Sequence, residues 1–157
     1  MALLRQRFVN SKGFIGGAID FLSDGDVDHT ETDSGTGWLG AHDIGGIQNR
    51  PYDYMTPSRE FVFSVEIPDD IYQSGMTKAM AQIGTLYNFG AILGIEFHIP
   101  SLTQKGRKIC SQFGYDVARL MNLRPLNEMA TNPWDVTPMA LMLSPIWTKL
   151  EKHTGGF

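Results

Sequence analysis

The chain has one cysteine, no excess of basic residues and no long apolar run. Each shortage excludes something. A single cysteine cannot form an internal disulfide, which fits a reducing compartment. Lys and Arg number 13 against 17 Asp and Glu, the net charge is −4 and 19% of residues are charged, so there is no basic field for nucleic acid. Met1 to Val9 carries Arg5 and Arg7, but no apolar signal core follows. The run Phe14 to Leu22 is interrupted by Gly16, Gly17 and Asp20 and is too short to span a bilayer. The expectation is a protein with neither an export signal of its own nor a membrane span. No repeat, charge block or low-complexity tract appears. Ser23-Asp24-Gly25-Asp26 is acidic, yet it lacks the spaced ligands and closing Glu of a calcium loop and reads as a turn. Neither metal nor cofactor is expected.

What the chain does have is glycine, 17 in 157 residues, which implies tight turns and close backbone approaches. The length suits one domain over residues 1–157, with a core at about 14–145 and a tail at 146–157. Ser11 to Ser23 reads as a short helix. Val27 to Thr32 and Trp38 to His42 read as a hairpin around the Asp33 to Gly37 turn, and Ile44 to Arg50 continues the meander up to Pro51. Arg59 to Ile67 alternates cleanly and is a strand. Pro68-Asp69-Asp70 opens a helix that turns Ile71, Met76, Ala79, Met80 and Ile83 inward and ends at Gly84. Leu86 to Phe97 is apolar without a clear period, Pro100 to Lys108 is a loop, and Pro138 to Ser144 is a short helix. Strands cluster in the first half and helices in the second, so the class is α+β, an antiparallel meander packed against helices.

Within Lys105 to Met121, Cys110, Phe113, Gly114, Val117, Ala118 and Met121 share one face of an amphipathic helix with Cys110 at its start. The partial positive charge of a helix N-terminus favours a thiolate, and Lys105, Arg107 and Lys108 lie just upstream. Most lone cysteines are inert small hydrophobes, so a functional reading needs a base. Of four histidines, His153 falls in the tail and His98 in a loop. His29, on a strand face shared with Glu31, and His42, at a strand end, are the candidates.

The segment IGTLYNFGAI followed by KICSQFGYDVARL resembles the NlpC-type cell-wall peptidases, with Gly84, Tyr87, Phe89, Gly90, Cys110 and Ser111 at matching places. In ordinary members the histidine strand follows the cysteine helix. Here VDHTETDSGTGWLGAHDIGGIQNRP precedes it, an order similar to that of the circularly permuted papain-like amidases (the YiiX/YaeF-like group), and Val136, Pro138 and Leu141 match their closing segment. The likeness covers Phe14 to roughly Pro145 and is nearest to small members from bacteriophages and prophages. It implies Cys110 as nucleophile, His29 as general base, Tyr87 lining the substrate cleft, and Ser111 beside the nucleophile as a substrate-binding residue. The family often carries a polar third residue where this chain has Gly40; His42 is the expected substitute, with Glu31 and Gln48 behind it. Gln112 stands where permuted members often have Glu.

The resemblance implies a cysteine amidase or endopeptidase acting on a peptidoglycan stem peptide or a similar small amide. A thioesterase or acyltransferase, in the manner of lecithin retinol acyltransferase, is the alternative, with LYNFGAILGIEF as an acyl groove. A virion protein that keeps the fold without a working triad is the third reading. Partners would be a small peptide or acyl substrate, with virion or cell-wall association. The location would be the cytoplasm of an infected or lysogenic bacterial host, or the virion.

Overall fold

The computed structural model describes residues 1–10, 27–88, 108–126 and 136–155. Among these, six strands form one sheet: β1 Ala2–Asn10, β2 His29–Asp33, β3 Trp38–His42, β4 Gly46–Arg50, β5 Arg59–Ile67 and β6 Lys149–Thr154. Their spatial order is β4-β3-β2-β1-β5-β6, and every pairing is antiparallel. Three helices accompany them: α1 Asp69–Met80, α2 Cys110–Leu120 and α3 Pro138–Met142. This is the mixed α and β architecture expected. The expected helix at Ser11 to Ser23, most of the apolar run to Phe97 and the loop after Pro100 lie outside the described residues.

The centre of the sheet is β1, a segment whose strand character the sequence reading missed. It pairs with β5 from Ala2 opposite Ile67 to Asn10 opposite Arg59, and with β2 from Gln6 opposite Thr32 to Val9 opposite His29. Its alternation sends Leu4, Gln6 and Phe8 to one side, where Gln6 Nε2 donates to the Gly114 carbonyl of α2 at 2.8 Å. Arg7 lies in the other row and is 2% exposed. Two polar side chains buried in mid-strand are what disguised its pattern.

The core lies between the sheet and α2. Leu39, Ala41 and Ile47 from the meander meet Phe113, Val117, Ala118 and Met121 from α2, and α1 adds Met76 and Ala79. A side chain at Gly75 would place its first carbon 2.6 Å from Met121 Cγ, so glycine is what lets α1 and α2 approach. Ile83, expected inward, is 47% exposed, because α1 ends at Met80 and a turn follows. The supposed tail is also corrected: residues 149–154 form β6 on β5, with Arg5 Nε paired to Glu151 at 2.7 Å and His153 stacked on Phe61 at 4.6 Å.

Phe113 is fully buried where α2 meets the sheet. Phe113→Ala should lower stability by about 3–5 kcal/mol in chemical denaturation. A loss under about 1 kcal/mol would mean that α2 is not the core helix.

Candidate active site

The site forms where β2 begins and α2 begins. Ile109 is extended, with φ −91° and ψ 168°, and Cys110 is the first residue of the helix. The first helical N–H groups have no acceptor within the helix and point toward its start. Gln112 closes this end: its side-chain oxygen accepts from the Ile109 N–H at 3.3 Å. Cys110 Sγ lies 3.8 Å from the carbonyl of Asp28, the residue before His29. The thiol thus sits against the entry to β2.

His29 is next to that thiol. Burial opposes its charge, but the attraction and hydrogen bond of Cys110, with Glu31 adding to them, raise it from 6.5 to about 10. Tyr87 approaches from the other side. It is 4% exposed, and burial together with the nearby Cys110 and Asp43 charges pushes its hydroxyl well above its ordinary value. Cys110, His29 and Tyr87 are therefore brought together. Ser111 is placed differently. Its side chain is fully buried and its hydroxyl donates to the Val136 carbonyl at 2.5 Å, tying α2 to the segment before α3. Lys108, expected to favour the thiolate, instead pairs with Asp116 at 2.6 Å, while Lys105 and Arg107 lie outside the described residues.

Both candidate histidines face Glu31, the residue placed behind His42 among the third-residue candidates. His42 Nε2 lies 3.3 Å and His29 Nε2 3.6 Å from the same oxygen, Oε1 of Glu31, and the two rings are 5.1 Å apart. Glu31 Oε2 is held by Arg7 at 2.5–2.6 Å, and Oε1 also accepts from the Tyr54 hydroxyl at 2.8 Å. Burial alone would raise Glu31, but the facing His29 and His42 rings and the Arg7 charge hold it well below the usual carboxylate range. His42 goes the other way: burial and repulsion from His29 outweigh Glu31 and lower it. The two neighbouring rings are thus shifted in opposite directions. Gln48 is not part of this group, since its amide is engaged by Ile44 and Arg50.

Gly40 has a specific part in this. A first side-chain carbon at Gly40 would lie 2.7 Å from Glu31 Cγ. The space a polar residue of β3 would fill is taken by Glu31 crossing from β2. Sequence reasoning ranked Glu31 low and missed Arg7 and Tyr54. The signal was present in β1: Arg7 is a charge inside a strand between Phe8 and Gln6, and a buried cation needs a buried anion.

No family model and no curated protein matches this chain. A solved structure does: the crystal structure of metalloprotein yiiX from Escherichia coli O157:H7, DUF1105, is similar at a TM-score of 0.70, covering 97% of both chains at 15% identity. At that identity the likeness is one of fold, and the fold is of the YiiX type.

Two outcomes follow from this geometry. By NMR titration the His29 ring should stay protonated through neutral pH. Because its folded value is raised, the stability it contributes is complete below pH 6.5 and is lost as pH rises through about 10. A His29 that titrates near 6.5 would contradict the arrangement. Gly40→Ala should destabilise by about 1–3 kcal/mol through overpacking against Glu31, read by denaturant melts. A neutral effect would show that Glu31 does not fill that space.

Proposed function

We propose that the protein is a cysteine hydrolase of the circularly permuted papain-like kind, acting on an amide through an acyl-enzyme on Cys110. The observation that carries this is the placement of Cys110, at a helix start, against the residue before His29, whose Nε2 faces a buried carboxylate at 3.6 Å. The order of the strand bearing His29 before the helix bearing Cys110 supports the permutation.

With Nε2 turned to Glu31, Nδ1 is the nitrogen left to Cys110. The thiolate attacks the substrate carbonyl carbon, forming a C–S bond and moving the π electrons onto oxygen. The N–H of Cys110 and its neighbours at the helix start stabilise that oxyanion. As the oxyanion collapses, the C–N bond breaks and the leaving nitrogen takes the proton from His29. His29 then removes a proton from water, the hydroxide attacks the thioester, and the C–S bond breaks to restore the thiolate–imidazolium pair. The negative charge of Glu31, 3.6 Å from Nε2, favours the remaining proton there.

The substrate is proposed as a small peptide-like amide, such as a cell-wall stem peptide in a bacterial or phage setting. An acyl or thioester substrate is the second reading. It is favoured by Ile44, Ile83 and Leu86, which are 79%, 47% and 54% exposed on the turn and loop that lead to Tyr87. The similar structure is titled a metalloprotein. The donors this chain could offer a metal are His29, Glu31 and His42, and a bound ion would supply an activated water there.

Cys110 is 1% exposed, so removing its sulfur leaves a hole whatever its role. Cys110→Ser is therefore the diagnostic change. On a panel of amides and thioesters, Cys110→Ser and His29→Ala should each lose at least about 10³-fold in kcat/KM with folding retained. A chelator should not lower the unmodified protein's rate. Turnover that survives Cys110→Ser but stops with chelator would overturn the cysteine mechanism.

A further inference from the structure

His29 and His42 present the same kind of atom to one carboxylate oxygen, and neither contact is a hydrogen bond. Both Nε2 atoms are buried and have no hydrogen-bond partner. His42 is only 5% exposed, so water does not satisfy its unpartnered nitrogen. Groups left in this condition in a packed interior call for an explanation.

The distances supply one. Glu31 Oε1 lies 3.3 Å from His42 Nε2 and 3.6 Å from His29 Nε2, and all three atoms are within 4.8 Å of one another. Tetrahedral bonds of about 2.0–2.1 Å to nitrogen and oxygen put neighbouring ligand atoms about 3.3–3.4 Å apart. One edge of the triangle already has that length and a second, at 3.6 Å, is close to it. Glu31 is presented for this purpose by Arg7, which occupies Oε2 and leaves Oε1 between the rings. Tyr54 orients the carboxylate through its hydroxyl, as partners of metal-binding carboxylates commonly do.

We propose that His29 Nε2, His42 Nε2 and Glu31 Oε1 form a site for a divalent transition ion of the zinc type, and that its occupation switches off Cys110. Two imidazoles and one carboxylate suit zinc, copper or nickel and are poor ligands for magnesium or calcium, which prefer all-oxygen sets. Three protein ligands leave a fourth position for water. The switch, unlike the site, rests on the cysteine mechanism above. An ion binding Nε2 displaces that nitrogen's proton to solvent, takes its lone pair and leaves the ring's one remaining proton on Nδ1. A ring in that state cannot accept the proton of the Cys110 thiol or of the attacking water. The same ion also occupies the carboxylate oxygen that would position the ring. Metal binding and acyl transfer therefore use the same atoms in exclusive ways.

The test uses the full chain, freed of metal, titrated with Zn²⁺ against a chromophoric chelator. One ion per chain should bind, with the His29 and His42 ring resonances shifting together. His42→Ala and His42→Gln should each weaken binding at least about 100-fold, since altering even a partner of a metal ligand costs about 10–100-fold. His153→Ala, on β6, should bind as the unmodified protein does, and near-UV circular dichroism checks that each variant is folded. Unchanged affinity in folded His42 variants, or no binding in the unmodified protein, would overturn the site. In a parallel assay, one equivalent of Zn²⁺ should abolish hydrolysis and chelation should restore it. Full turnover with the ion bound would overturn the switch while leaving the site. An absence of turnover in the metal-free protein is a failure of the hydrolase reading, and the binding titration still decides the site.

Discussion

Glu31 is a carboxylate with no access to water, and a carboxylate in that position stays ionised only if every neighbour supports the charge. The cost of taking such an ion out of water is several kcal/mol even after relaxation. Arg7 offsets it on one oxygen, and Tyr54 with two imidazoles surrounds the other. Arg7 is itself held: its guanidinium lies over Trp38 at 4.4 Å and 3.6 Å from Glu60, which in turn pairs with Lys152 of β6. A polar chain thus runs across the sheet from its last strand to the site. Breaking it at one member would strand a buried charge, which is costlier than never having built it.

The rest of the fold serves to bring a thiol to that carboxylate's far side. β1 carries Arg7 in one row and, through Gln6 in the other, fastens α2 to the sheet. Ser111 and Gln112 fix the first turn of α2 from two directions, to Val136 and to Ile109. The nucleophile, the base and the group behind the base therefore stand on elements whose positions are fixed by packing, which is what a site needs if its geometry is to be kept through a reaction cycle.

Much of this was legible in the residues. β3 and β5 have the bounds the alternation indicated, and the cysteine helix was visible from its apolar face. β1 was not, because Gln6 and Arg7 are polar side chains that the interior satisfies with the Gly114 carbonyl and Glu31, and only the fold shows those partners. β6 was not, because KLEKHT is an edge strand with little core face and its charges pair sideways. Gly40 was read as a lost third residue for the same kind of reason. A sequence shows which side chain is missing but not which neighbour has moved into its place, and here that neighbour is Glu31.

The central claim is that Cys110, with one buried carboxylate behind it, holds the proton of His29. The most direct test removes the carboxylate's charge without stranding Arg7: the double substitution Arg7→Met with Glu31→Gln, compared with Glu31→Gln alone by denaturation, with the His29 ring followed by NMR. Replacing a whole buried pair is often neutral, whereas breaking it costs about 3–5 kcal/mol, so the double variant should be the more stable of the two. In that folded double variant His29 should titrate below the wild-type value of about 10, because Glu31 no longer adds to Cys110 in holding the proton. A double variant in which His29 titrates where it does in the unmodified protein would contradict the account.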